Sequence, residues 1–447
     1  MRGRRQQGNG WRRWLGAAAL GAVCAGCSQP PPPAVPVTVQ VQMLAGVECA
    51  AMARTAAYWN ERYAATTGIR VAVAPLNRVG SFHKLEVQLA AGLATPDIVN
   101  PCSLQLARLA PYLEPLDEHL REDAVMTAPN GVRLSRGVLL DAALRTAALA
   151  DGHMYMLPKD LMAVLLFYRK DLMPRPPDTW DEYLAMAMRF TRSLSPASPT
   201  RYGTVMPGKY EIGTFCAALE VLWPHGADLA TPERWRNGFG AAGAGRGFKL
   251  FEELAAAGAF PPEAVDAEYP QVARIIQNGD VAMALQWSTF YQDLLDPRRA
   301  PKVYSKIDIA PPPGVRQPDG SVRRDLYVQT TGLALNRRST HKEEALRFLA
   351  WAALGEGALV YAMGTPTAPG GASPVQAVWG NRASLPPYPR IRPWIESFGH
   401  VVPATPRTPA MLTMGSSWVQ RLMTGQATAA EAAAGLNREI AAARAEE

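Results

Sequence analysis

Alternation of apolar and polar side chains is cleanest in "VPVTVQVQM", where Val37, Val39, Val41 and Met43 share one face, and it predicts a strand over 37–44. Met52, Ala56, Trp59 and Tyr63 then recur at helical spacing, predicting a helix over 49–66 with Gly68 just past its end. "IRVAV" (69–73) reads as a second strand, and Ser81 caps a helix that runs through Leu85 and Leu89 to Gly92. "PDIVN" (96–100) is a short buried strand, followed by a helical segment at 103–109. Strands and helices alternating at this spacing predict a parallel sheet with right-handed crossovers.

Beyond this the pattern is mostly helical. Thr179 with Glu182, Thr340 with Glu343 and Thr428 with Glu431 form capping boxes that place three helix starts. Strand-like runs return at 163–168, 281–285, 307–310 and 326–335, and the alanine-rich segment 427–444 reads as a surface helix. "GFGAAGAGRG" (238–247) has no strand before it, so it predicts a loop and not a dinucleotide site. No internal repeat is apparent.

Composition narrows the class. The 447 residues suit two domains or one large α/β unit, and 48% apolar with 19% charged residues excludes a disordered or fibrous chain. The net charge of +7 suggests nucleic acid, but residues 1–26 hold five arginines and no acid, leaving +2 for the rest. A nearly balanced body has no electrostatic footprint for DNA or RNA.

The arginines belong to a leader. They precede an apolar stretch at 14–26 of about a dozen residues, against roughly 20 for a membrane-spanning helix, which predicts an export signal over 1–26. Ala25 and Gly26 before Cys27 resemble a lipobox, so Cys27 is the expected acylated N-terminus, with Cys24 the weaker alternative and plain cleavage leaving a free thiol at Cys27 the other. Residues 27–36 with their proline run are a stiff tether between membrane and fold. The expected location is the periplasmic or cell-surface face of a bacterial membrane. Cys49, Cys102 and Cys216 remain for the exported body, without metal-ligand spacing.

Catalytic motifs are missing. There is no GxSxG, Walker A or HExxH sequence, and His83, His119, His153, His225, His341 and His400 are scattered. Nothing marks a cofactor or metal site. Aromatic residues at loop and strand ends (Tyr155, Trp223, Trp287, Tyr291 and Trp379) offer faces for a pyranose ring, or else belong to the core, as Trp180 behind its helix cap does.

Several segments taken in order carry a resemblance. "AAGLATPDIVNP", "YLEPLDEHL", "DGHMYMLPKDLMAVLLFYRKDLM", "PPDTWDEYLAMAMRFT", "IQNGDVAMALQWSTFYQDLLDP", "KIDIAPPPG" and "TTGLALNRRSTHKEEALRFLAWAAL" resemble the extracellular solute-binding proteins of bacterial ABC importers, the group that includes maltose-binding and other sugar-binding proteins. Two departures are Arg169, where the family commonly has Asn, and "GTPTAPG" (364–370), which lacks the family's arginine.

The resemblance implies an α/β, two-lobed periplasmic-binding-protein fold whose discontinuous domains are joined by a crossing hinge near 158–163, 326–331 and 370–378. Lobe I would comprise 37–160 with 330–375, and lobe II 161–329 with 376–447. Ligand would lie beyond the carboxyl ends of the strands, at Glu48, Asn100, Trp287, Gln329, Thr330, Thr331 and Thr365. Trp287 is either a sugar platform in the cleft or part of the second lobe's core. Neighbouring first and third strands would bring Cys49 and Cys102 together as a disulfide, the alternative being two free thiols.

The function expected is a monomeric, lipid-anchored binding protein without catalysis, carrying a sugar or polyol to the transmembrane subunits of an ABC permease. A periplasmic lipoprotein hydrolase acting on sugars or cell-wall fragments is the alternative. A third reading keeps the fold but carries a metal, polyamine or phosphorylated compound.

Overall fold

The computed structural model describes residues 36–77, 81–120, 126–149, 152–227, 239, 242–363, 372–380 and 387–445. Cys27, the tether before residue 36 and Thr365 therefore lie outside the described residues.

Strand β1 (Val37–Leu44) pairs in parallel with β2 (Ile69–Leu76) from Val37↔Ile69 to Leu44↔Leu76, and with β3 (Ile98–Val99) at Val41↔Ile98. Between the first two, α1 (Val47–Arg62) buries Met52, Ala56 and Trp59 against them, as the periodicity requires. It stops at Arg62, four residues short of the predicted end, and a separate helical turn then leads to Gly68 in the left-handed conformation (φ 70°). Helix α2 (Ser81–Ala90) buries Leu85 and Leu89. The third strand is held in register by the buried Asp97, whose carboxylate accepts Gln40 N at 2.8 Å and Ser339 Oγ at 2.6 Å.

Long strand β4 (Leu157–Arg169) is buried at every position and starts six residues earlier than the apolar run at 163–168 suggests. Lys159 and Asp160 interrupt its hydrophobicity, so sequence pattern conceals its first half. Strands β5 (Tyr202–Val205), β6 (Val281–Trp287), β7 (Ile307–Ala310), β8 (Leu326–Leu335) and β9 (Gly399–His400) complete one sheet ordered β2-β1-β3-β8-β4-β6-β5, with β9 on β8 and β7 on β4. Among the described strands of this sheet, β1–β2–β3, β5–β6 and the short β8–β9 contact are the parallel ones. Strand β8 runs antiparallel to both β3 and β4, and β4 antiparallel to β6 and β7. The first three strands pair in parallel, as their alternation with helices predicts, and the two parallel groups are joined through two antiparallel strands.

Helices α3 (Asp141–Ala147), α4 (Trp180–Arg189), α5 (Ile212–Leu222), α6 (Ala242–Ala256), α7 (Tyr269–Asn278), α8 (Lys342–Leu354), α9 (Glu356–Met363), α10 (Pro387–Phe398), α11 (Thr408–Met423) and α12 (Ala429–Ala445) cover the sheet. The Thr428–Glu431 box is reciprocal, with Glu431 N donating to Thr428 Oγ1 at 3.3 Å and Thr428 N to Glu431 Oε2 at 2.8 Å. Thr179 caps α4, but Glu182 turns its carboxylate to Asp178 N and Arg175. The Thr340 box does not form, because α8 starts after His341, whose N–H goes to Ser339 Oγ at 3.0 Å.

Two more expectations are corrected. Residues 242–247 of the glycine-rich segment are the first turns of α6 and not a loop, because packing of Ala244, Phe248 and Phe251 outweighs the poor helix propensity of its glycines. Helix α12 is no mere surface helix. It packs on α6 and α11, buries Ala432, Leu436 and Ile440, and places Gly435 so close under Trp418 that a Cβ would lie 2.0 Å from the ring.

Candidate functional site

The carboxyl ends of β1, β2 and β3 and the crossing strand β8 enclose a small cavity of about 20 Å³, with Gln42, Ser81, Asn100, Cys102, Gln105 and Thr331 in its lining. That volume holds about one water, so a sugar-sized guest enters only if the walls separate. Asn100 Nδ2 donates to Gly332 O at 2.7 Å, which fixes the amide. Gln42 Oε1 is buried with no hydrogen-bond partner among the described residues, an acceptor left over in the wall. Among the described residues, no charged side chain belongs to this lining.

Thr331 and Thr330 show what strand alternation does to adjacent residues. Thr331 faces the cavity and donates to Asp160 Oδ2 at 3.1 Å. Thr330, fully buried, turns to the other side and pairs its hydroxyl with Thr146 of α3. The structure therefore brings Asn100 and Thr331 together and sends Thr330 into helix packing. Glu48, in the first turn of α1, sits beside a buried polar cluster, and its charge helps to raise the Tyr361 hydroxyl and the Cys49 thiol.

Gln329 links the cavity wall to the far half of the sheet. Its Nε2 donates to Cys102 Sγ at 3.0 Å, and its Oε1 accepts Tyr327 OH at 3.0 Å. Cys102 Sγ also accepts Leu104 N at 3.4 Å, and burial pushes this thiol up to about 12. Cys49 and Cys102 are both free cysteines, so the expected disulfide is absent even though β1 and β3 are neighbours. Cys49 belongs to the first turn of α1, whereas Cys102 caps a short helical turn at Ser103–Gln105 and gives its sulfur to that turn and Gln329.

Trp287 closes β6 with only 7% of its surface exposed, against Tyr269 at 5.1 Å and Tyr327 at 5.6 Å between ring centres. Trp223 stacks on Tyr327 at 5.9 Å and on His400 at 4.0 Å, extending one aromatic cluster. Tyr155, Trp223, Tyr291 and Trp379 are buried as well, so in this conformation none of the five aromatic residues offers an open face. Trp180 is core, as expected.

Beneath that cluster sequence reading missed Glu220. It is fully buried on α5, its Oε1 accepts Tyr327 N at 2.6 Å, and its Oε2 has no partner. Burial holds its carboxyl well above the usual carboxylate range. A glutamate inside the otherwise apolar run "FCAALEVLW" was the available signal.

Sequence reading also missed Lys159, Tyr361 and Asp160, each at most 1% exposed. Asp160 accepts Tyr361 OH at 2.8 Å and Ala372 N at 2.9 Å, and Lys159 Nζ reaches both Asp160 and Tyr361 OH. Burial, reinforced by the Asp160 charge, lifts the Tyr361 hydroxyl well above the ordinary tyrosine value. Arg169 is remote from this chemistry. At the far end of β4 it makes a two-pronged pair with Asp171 at 2.7 and 2.6 Å.

A larger cavity of about 430 Å³ lies elsewhere, between the turn before α4 and helix α10, where Arg324 pairs with Asp178 near Trp394 and Phe398. None of the expected ligand residues that the structure describes lines it. Among the described residues no group of three His, Cys, Asp or Glu side chains is placed to hold a metal ion.

Comparison with known proteins places this geometry. Maltose-bound MalE3 of T. maritima superposes with a TM-score of 0.74 at 22% identity, covering 90% of this chain and 98% of that one. A solute-binding protein from Agrobacterium radiobacter in complex with ribitol gives 0.75 at 18% identity, covering 92% and 100%. One from Agrobacterium vitis with bound D-mannitol gives 0.69 at 18%, covering 92% and 98%. These likenesses establish the α/β, two-lobed binding-protein fold. In sequence, a probable amino-acid ABC transporter periplasmic-binding protein of Sinorhizobium fredii is 24% identical over 292 residues, and the match covers 64% of this chain and 62% of that protein's length. The profile of the bacterial extracellular solute-binding proteins matches residues 50–358, more than half of the chain, and the protein belongs to that family.

Proposed function

We propose that the protein captures a neutral sugar or polyol in the cleft between its lobes and delivers it to the transmembrane subunits of an ABC permease, with no catalysis of its own. The observation that carries this reading is the composition of the cavity wall, in which the described residues bring amides, hydroxyls and a thiol among apolar side chains without a charge. An amino acid brings a carboxylate and an ammonium that need charged partners to leave water, whereas a polyol needs only neutral donors and acceptors. A glycosidase needs two flanking carboxylates, and the described residues of the wall include none.

Asn100, Thr331 and Gln329 are the proposed contacts, with Glu48 at the rim, Trp287 reached when the lobes part and Thr365 ahead of the third crossing. Lobe I is taken as 37–160 with 330–375 and lobe II as 161–329 with 376–447. The protein acts as a monomer on the periplasmic or cell-surface side of the membrane, anchored through an acylated Cys27. Mass spectrometry of the mature N-terminus checks the anchor, and an unmodified Cys27 thiol there removes it.

The relative named for amino acids makes the decisive experiment a competition of classes. Thermal unfolding is measured with ribitol, D-mannitol, maltose and a panel of amino acids. A sugar or polyol at about 100 times its Kd adds roughly 2.7 kcal/mol of stability and raises Tm. A shift with amino acids and none with sugars or polyols overturns the reading.

A further inference from the structure

We propose that Asp160, charge-paired with Lys159, is a positioning residue for the ligand wall, which ties the three chain crossings together and sets the polarity of Thr331. Three separate stretches of chain meet on this carboxylate. Asp160 lies on β4, Thr331 on β8 donates to its Oδ2 at 3.1 Å, and the third stretch, returning at Ala372, donates N–H to its Oδ1 at 2.9 Å. Leu161 N in turn donates to Ala372 O at 2.7 Å, and Tyr361 of α9 adds its hydroxyl at 2.8 Å.

The backbone is shaped for this meeting. Pairing of β8 with β4 runs Thr331↔Asp160 and then Gly332↔Pro158, so Lys159 is the extra residue of a bulge. A bulge re-aims side chains that a regular strand would send to opposite faces, and here Lys159 and Asp160 turn to each other. A Cβ on Gly332 would lie 2.7 Å from Leu157 O and from Met156 Sδ, so the close approach at the bulge requires glycine.

Burying two charges is costly, and apolar residues of equal volume commonly stabilise as well or better. The pair therefore calls for a role other than stability, and its position supplies one. Thr331 has a single hydroxyl proton and spends it on Asp160, so toward the cavity it acts as an acceptor. The unpartnered Gln42 Oε1 is a second acceptor in the same wall. Two acceptors facing one small space select a guest that donates hydroxyl protons there. This selectivity rests on the cleft being the ligand site, while the tie between crossings does not.

The test compares wild type with Tyr361→Phe and with the double variant Lys159→Met/Asp160→Asn, which removes both charges and leaves neither ion buried alone. Ribitol, D-mannitol and maltose binding is measured by calorimetry, stability by urea unfolding, and the spread of lobe arrangements by small-angle scattering without ligand. The expected result for the double variant is at least tenfold weaker binding with an unfolding midpoint close to wild type, and a ligand-free scattering profile different from wild type. Tyr361→Phe, which keeps the ion pair, is expected to lose about threefold. Wild-type affinity and scattering in the double variant overturn the proposal, as does a loss of affinity accompanied by an equal loss of stability. If wild type binds none of the three probes, the sugar reading fails, and the ligand-free scattering still decides whether Asp160 holds the crossings.

Discussion

Trp287 and Glu220 show how a single side chain's surroundings decide what it contributes. The tryptophan is enclosed by Tyr269 and Tyr327, so Trp287→Ala opens a hole in that aromatic cluster and is expected to cost about 3–5 kcal/mol in urea unfolding. A change in sugar affinity at unchanged stability would instead mark the indole as an exposed platform. For Glu220, burial raises the folded-state pKa above the unfolded one, so between the two the unfolded chain holds fewer protons. Stability therefore falls as pH rises from the ordinary carboxylate range toward the folded-state pKa. Glu220→Gln keeps an acceptor for Tyr327 N and removes the titration. The variant is expected to be more stable than wild type at neutral pH and to lack the decline, as pH-dependent urea midpoints will show; parallel curves for the two proteins would refute this.

Among the elements, β4 and β8 matter most, because both halves of the sheet hang on their antiparallel pairing. Their shared bulge has no room for a side chain at Gly332, and Gly332→Ala must push Leu157 O or Met156 away. The expected cost is about 1–3 kcal/mol, the usual range for overpacking a buried site. Weaker ribitol or mannitol binding should accompany it, since Thr331 is the next residue. Unfolding and calorimetry on the same preparation check both effects, and an alanine variant with wild-type stability would mean that the strands yield freely. Most elements were legible beforehand, among them β1, β2, β7, β8 and the buried stripe of α1. The first half of β4 was not, because an ion pair inside a strand looks like a loop to any measure of hydrophobicity.

In the whole molecule, the chain of contacts Tyr327–Gln329–Cys102 runs from the aromatic cluster of one half to the cavity wall of the other. Burial pushes the Cys102 and Cys216 thiols both up to about 12, so both should alkylate far more slowly than the half-buried Cys49. Iodoacetamide labelling followed by mass spectrometry of each cysteine peptide checks the order. A cleft ligand is expected to slow Cys102 further and leave Cys216 unchanged. Equal protection of both would point to general stabilisation, and no protection at Cys102 would place the ligand elsewhere.

By itself the sequence determined the local elements, the balanced charge of the body and the order of segments characteristic of solute-binding proteins. These depend on neighbours a few residues apart, where the periods of helix and strand leave a direct imprint. It also singled out Asn100, just after β3, and Thr331, inside β8, which line the same small cavity. Only the tertiary structure decided that Thr330 faces α3, that Cys49 and Cys102 remain apart as thiols, and that Asp160 gathers Thr331, Tyr361 and Ala372. Those outcomes depend on the register between strands and on contacts closed across some 170 to 210 residues of chain, for which periodicity carries no record.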